Sequence, residues 1–239
     1  MKRALITGGS GDIGSAICRR LATAGIHVIV HAHSNQARAD AVAQEIRRQG
    51  GSAESCRFDI CERDAAAECL EHLLSDGPIQ ILVHNAGIHD DAPLAGMGAE
   101  QWRRVIEVSL YGFYNVTQPL LLPMMTTRWG RVIAISSIAG IMGNRGQANY
   151  AAAKAGLHGA VKSLALELAT RGVTANAVAP GIIAGSMSDS VFDKAAITRL
   201  VPMQRAGSPE EVASLVNYLA SEESAYLSGQ VISLNGAMA

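Results

Sequence analysis

The chain has 239 residues, 49% of them hydrophobic and only 4% aromatic, with a formal net charge of -1. That length suits one large α/β domain spanning 1–239, and no linker, repeat or low-complexity tract marks a boundary inside it. The near-zero charge, without any Lys/Arg block, excludes a nucleic-acid-binding or anionic-membrane surface. No apolar run approaches the roughly 18 residues that a membrane span requires. After Met1-Lys2-Arg3 only Ala4-Leu5-Ile6 is apolar, too short for a secretory leader. Cys18, Cys56, Cys61 and Cys69 form no Cys-x-x-Cys pair and no zinc-type spacing with histidine. Reduced thiols, a cytoplasmic location and no metal site are therefore expected.

The first expected strand, 3–7, runs into Gly8-Gly9-Ser10-Gly11-Asp12-Ile13-Gly14, where a helix over 12–24 begins. A glycine-rich turn of this kind lets backbone approach a pyrophosphate and aims free helix N–H groups at it. Glycine-rich turns also occur for packing alone, but a place on the first strand of a βα unit favours the nucleotide reading. The second strand, 27–32, leads to His33-Ser34-Asn35 ahead of a helix over 36–49. An acidic residue at this strand end would hold the ribose 2′-hydroxyl of NAD. None is present, and His33, Ser34 and Asn35 can donate hydrogen bonds to a 2′-phosphate. NADP(H) is expected over NAD(H), although no Arg or Lys precedes Arg38 in the loop.

A strand at 53–58, a helix at 62–75 and a strand at 79–84 follow. His84 and His89 flank Asn85-Ala86-Gly87, and no third ligand stands nearby to make a metal site. A long helix over 99–127 and a strand over 130–136 lead to Ser137. The next helix, 149–170, carries Tyr150 and Lys154 four residues apart, one turn apart on one face. A tyrosine with a pKa of about 10 shuttles protons poorly near neutrality unless a cation stabilises its phenolate. The Lys154 ammonium would supply that charge, and Ser137 would hold a substrate oxygen beside the phenol. The Tyr/Lys spacing alone is a weak motif. Joined to Ser137, the turn after the first strand and Pro180-Gly181 after the strand 173–178, it is a specific one.

The stretch 182–207 has no clear period and is expected to be a lid or substrate loop. A helix at 209–220 and a strand at 229–234 close the chain. This alternation predicts a Rossmann-type, doubly wound, parallel seven-stranded sheet with helices on both faces. The chemistry expected of it is hydride transfer between a nicotinamide dinucleotide and a carbonyl or alcohol.

Thr7 to Gly14, Asn85-Ala86-Gly87, Ser137, Met142 to Gly156, Asn176 to Gly181 and Ser228 to Gly236 together resemble the short-chain dehydrogenase/reductase family over essentially the full length. Within it the bacterial 3-oxoacyl-[acyl-carrier-protein] reductases are most similar. The resemblance implies NADPH-dependent reduction of a 3-oxoacyl thioester, with an acyl carrier protein as partner and a homotetrameric assembly. It implies that Ser137 polarises the carbonyl, Tyr150 is the general acid, and Lys154 lowers the tyrosine pKa and grips the nicotinamide ribose. Asp59 and Ile60 would meet the adenine edge. Asn85, Ala86 and Gly87 would line the cofactor site, and Pro180, Gly181 and Ile183 would contact the nicotinamide. Arg128 and Arg171 would dock the carrier protein, the competing reading being two ordinary solvated charges.

Three positions depart from the family pattern. Asp12 stands where a glycine is usual, and a capping role at the helix N-terminus is expected for it. Ser109 replaces the asparagine that completes the catalytic tetrad, with a shorter reach for proton relay. Gly185 replaces a threonine, with Ser186 next to it as a substitute. These departures keep two other readings open: a dehydrogenase of a free alcohol, sugar or steroid-like molecule, and a cofactor-binding protein with little catalysis.

Overall fold

Runs such as Val28-Ile29-Val30 and Val132-Ile133-Ala134-Ile135 carry apolar side chains on both faces, as strands covered by helices on either side must. In the computed structural model, which describes residues 1–186 and 192–239, these runs form the middle of a parallel sheet. The elements are β1 (Arg3–Thr7), α1 (Asp12–Thr23), β2 (His27–Ala32), α2 (Gln36–Arg48), β3 (Ala53–Arg57), α3 (Arg63–Ser75) and β4 (Ile81–His84). They continue with α4 (Ala99–Ile106), α5 (Gly112–Thr127), β5 (Gly130–Ile135), α6 (Ala139–Met142), α7 (Ala148–Leu168) and β6 (Val173–Pro180). The described part ends with α8 (Lys194–Leu200), α9 (Pro209–Leu219) and β7 (Val231–Leu234).

All seven strands pair in parallel, in the order β3-β2-β1-β4-β5-β6-β7. One face is covered by Ile17 and Leu21 of α1, Val42 and Ile46 of α2, and Val212 and Val216 of α9. The other is covered by Leu70 of α3, Val116 and Leu120 of α5, and Leu157 and Val161 of α7. Neighbours within a strand divide between the two cores: Ala4 and Ile6 pack to one side, Leu5 to the other. Chain order reverses between β1 and β4, which opens a crevice at the carboxyl ends of the strands.

The single helix expected over 99–127 is interrupted. A π-helical turn, Glu107–Tyr111, separates α4 from α5 and holds Ser109 fully buried. In the stretch expected to be a lid or substrate loop, Ile183 bridges Gly207 as a strand pair, and α8 lies between them in sequence. Residues 187–191 of that stretch lie outside the described residues. Among the described residues no helix is long and apolar enough to cross a membrane.

Candidate active site

The turn from β1 to α1 is built for close backbone approach. Gly8 has φ +61, and a Cβ on Gly14 would stand 2.2 Å from the Gly8 carbonyl oxygen. Gly11 at the N-cap offers no side chain to the first amides of α1. An uncapped helix N-terminus in a cradle too tight for side chains fits a pyrophosphate. The first N–H of the turn is fixed differently: Gly8 N donates to His31 Nδ1 at 3.1 Å, so His31 Nε2 carries the proton and donates to the Phe58 carbonyl at 2.9 Å. Burial lowers the His31 pKa to about 4, so the ring stays neutral.

A second histidine ties the turn to the sheet. The amides of Asn85 and Ala86 each donate to Thr7 Oγ1 at 3.0 Å. The Thr7 hydroxyl proton therefore points at His84 Nδ1, 3.4 Å away, and His84 Nε2 donates to the Ser109 carbonyl at 3.2 Å. Asn85 Nδ2 reaches back to the carbonyls of Thr7 and Gly8. Burial first, then the nearby Lys154 charge, brings His84 down to about 3. Ser109 Oγ is buried with no hydrogen-bond partner among the described residues.

The catalytic group expected from sequence is brought together. The Tyr150 and Ser137 hydroxyls are within hydrogen-bonding reach. Lys154 Nζ stands 5.6 Å from the Tyr150 ring centre and donates to the Ile135 carbonyl at 2.9 Å. A Cβ on Gly87 would meet that ammonium at 2.9 Å, so the glycine gives the lysine its room. Burial lowers Lys154 to about 8, while Tyr150 is raised, chiefly by burial, against the lowering effect of Ser137. The start of α7 is pinned by Asn149, whose Nδ2 donates to the carbonyls of Asp90 and Gln101 and whose Oδ1 accepts from Tyr150 N. Ser136 Oγ donates to the Lys154 carbonyl and takes His158 Nε2 at 2.6 Å, holding α7 against the end of β5.

Other expected residues line the crevice or its margins. His33, Ser34 and Asp59 share a groove with Arg57, and His33 Nδ1 lies 3.6 Å from Asp59 Oδ2. The side chain of Asn35 is already committed, accepting from Arg38 N as the cap of α2. Ile60 is a core residue, 3% exposed against Gly112. The Pro180 carbonyl accepts from Ile138 N, and Gly181 packs tightly on Asn235. Asp12 does not cap α1: its carboxylate faces Ser186 and Arg38. Arg128 and Arg171 are exposed and adjacent, with Arg128 Nη2 3.4 Å from the Thr170 carbonyl. They precede β5 and β6, so they sit at the edge of the sheet opposite Tyr150. No His, Cys, Asp or Glu cluster suited to a metal occurs among the described residues. The hydrogen-bonding roles of His31, His84 and Asn149 carried no sequence signal, because they depend on partners up to 77 residues away.

The family short chain dehydrogenase matches residues 2–196. The 3-oxoacyl-[acyl-carrier-protein] reductase of Aggregatibacter actinomycetemcomitans is 44% identical over 236 residues, 98% of either chain. That of Rickettsia bellii is 43% identical over 98% of this chain and 95% of its own. That of a Synechocystis strain is 41% identical over 98% of this chain and 96% of its own.

Proposed function

The chain belongs to the short chain dehydrogenase family, and from that premise we propose that it reduces a 3-oxoacyl group on acyl carrier protein to the 3-hydroxyacyl form. The observation that carries this is the placement of two hydroxyls, Ser137 and Tyr150, beside a buried ammonium at the carboxyl edge of the sheet. Bound NADPH supplies the hydride that reduces the carbonyl carbon.

The residues of this chain handle the oxygen. Ser137 Oγ donates to the carbonyl oxygen and holds it beside Tyr150. Tyr150 Oη gives its proton to that oxygen as negative charge develops there. The raised Tyr150 pKa keeps the phenol protonated before reaction, which suits an acid. Lys154 stabilises the phenolate left behind, and at a pKa of about 8 its ammonium can pass a proton on to restore the phenol. Ser109 on the π turn would be the relay's next group, its hydroxyl being unpartnered.

NADPH is favoured over NADH by the lack of an acidic residue in His33-Ser34-Asn35 and by the Arg38 guanidinium one turn into α2. The dinucleotide would be held by the turn Gly8 to Gly14, the Asn85-Ala86-Gly87 backbone, Lys154 and the Pro180-Gly181-Ile183 segment. A homotetramer is supported by apolar side chains exposed on α5 and α7, such as Leu122 at 69% and Leu166 at 82%. Four free cysteines suit a cytoplasmic location.

The test is steady-state oxidation of NADPH, and separately NADH, with an acetoacetyl thioester on carrier protein, for wild type and Tyr150→Phe. Turnover with NADPH that collapses in the variant is the expected result. Reduction of a small diketone without turnover of the thioester would overturn the substrate assignment and leave a dehydrogenase of a free alcohol.

A further inference from the structure

Two of the positions at which this chain departs from the pattern of its family, Asp12 and Gly185, meet at Ser186. Asp12 Oδ2 accepts from both the backbone N–H and the hydroxyl of Ser186, each at 2.7 Å. Its other oxygen faces Arg38 Nη2 at 3.3 Å. Gly185, next to Ser186, has φ +149, and a Cβ there would stand 2.7 Å from Asp12 Oδ2. In this arrangement the Asp12 carboxylate leaves no room for a side chain at 185 and is matched by a hydroxyl at 186. The two departures, Asp12 and Gly185, are therefore compatible with one another.

The partners are 174 residues apart in sequence and join two different walls of the crevice. Asp12 begins α1, at the turn that would face the phosphates of the proposed dinucleotide. Ser186 lies on the segment that leaves β6 and returns through the Ile183–Gly207 bridge. A carboxylate at a helix N-terminus is stabilised there by the helix dipole. Hydrogen bonds to a charged acceptor are about twice as strong as neutral ones. The two donations from Ser186, with Arg38 beside them, hold the Asp12 carboxyl below its ordinary pKa and offset the charge it would turn toward a phosphate.

We propose that Asp12, Gly185 and Ser186 form a clasp that fastens the segment after β6 to the N-terminus of α1 and so retains the bound dinucleotide. Asp12 is then a positioning residue that acts through Ser186, and the clasp forms in the cofactor-free protein. This rests on the dinucleotide reading given above, since retention has meaning only if the crevice takes that ligand.

The test uses the full chain in two measurements. Without cofactor, backbone hydrogen exchange at Ser186 is compared between wild type, Asp12→Ala, Asp12→Asn and Ser186→Ala. Exchange in Asp12→Ala should be faster by roughly tenfold, with Asp12→Asn intermediate because it keeps one acceptor oxygen. NADPH dissociation is then followed by fluorescence for the same proteins and for the Asp12→Ala/Ser186→Ala double variant. Each alanine variant should release NADPH roughly tenfold faster, and the double variant no faster than the worse single, as expected for two halves of one contact. The steady-state loss should fall on KM for the dinucleotide and not on KM for the carbonyl substrate. Unchanged exchange in Asp12→Ala would sink the clasp. Tighter NADPH binding in Asp12→Ala, or additive effects, would show that Asp12 repels the ligand and would overturn the retention role. Altered exchange with no binding of NADPH or NADH to wild type would instead refute the dinucleotide reading.

Discussion

Lys154 carries the pH dependence of the proposed chemistry. Burial is the cause of its lowered pKa, about 8, and the ammonium is the form that stabilises the Tyr150 phenolate. The charged form is present below pH 8 and is lost as pH rises through it. The reduction rate should therefore fall across that point, and a rate that stays flat to pH 10 would remove Lys154 from this role. Tyr150→Phe should lower kcat by about 10²–10⁴-fold, the usual range for a positioned acid. Ser109 gives a separate residue-scale prediction. Its buried hydroxyl has no partner, and such a group costs on the order of 1–3 kcal/mol. Ser109→Ala should raise Tm by a few degrees while lowering kcat. A drop in both would mean that the hydroxyl is satisfied by an internal water that the fold depends on.

Among the elements, the first turn of α1 tolerates little substitution. Gly14→Ala would drive a Cβ to 2.2 Å from the Gly8 carbonyl and 2.9 Å from Asn85 Nδ2, both parts of the turn proposed to hold the pyrophosphate. Neither the backbone at Gly8 nor the doubly bonded Asn85 amide can give way cheaply. Calorimetric titration should show NADPH binding weakened at least tenfold, with a lower Tm. Much of this level was legible in sequence. The strand and helix alternation, the glycine turn and the Tyr150/Lys154 spacing all follow from local period and residue type. The π turn at Glu107–Tyr111 was not legible, because local residue type and period do not separate it from a continuous helix. Nor was the short α6, which four residues cannot announce by periodicity. The Asp12 side chain was misjudged as a cap for a related reason. Helix-terminal preferences describe the local chain, whereas the competing donors at Ser186 arrive from the far end of the fold.

At the scale of the whole molecule, two neutral histidines make the fold acid-sensitive. His31 and His84 titrate at about 4 and about 3, against 6.5 for the free side chain. Between those values the unfolded chain binds protons that the folded chain does not, so stability falls as pH drops below 6.5. Unfolding midpoints in urea measured at pH 7 and pH 5 should show this loss, and His84→Asn should flatten it; equal midpoints at the two pH values would contradict the buried neutral rings.

If the carrier protein docks at Arg128 and Arg171, opposite ends of the strands separate the proposed chemistry from that docking. Arg128 and Arg171 precede β5 and β6, whereas Ser137 and Pro180 lie at or beyond their carboxyl ends. Six residues of β5 span about 20 Å at roughly 3.3 Å per residue. A carrier protein bound at these arginines would reach this chain's own Tyr150 only through a long flexible arm. Charge at the docking edge should therefore affect encounter with the carrier and leave the chemical step alone. Arg128→Glu with Arg171→Glu should raise KM for a carrier-linked 3-oxoacyl substrate roughly tenfold, more steeply at low salt. The KM for a short free thioester should stay at the wild-type value, since that substrate enters the crevice without touching the far edge. Equal losses on both substrates would indicate damage to the fold. No loss on either would return the two arginines to ordinary solvated charges and move the carrier's footprint to the crevice rim.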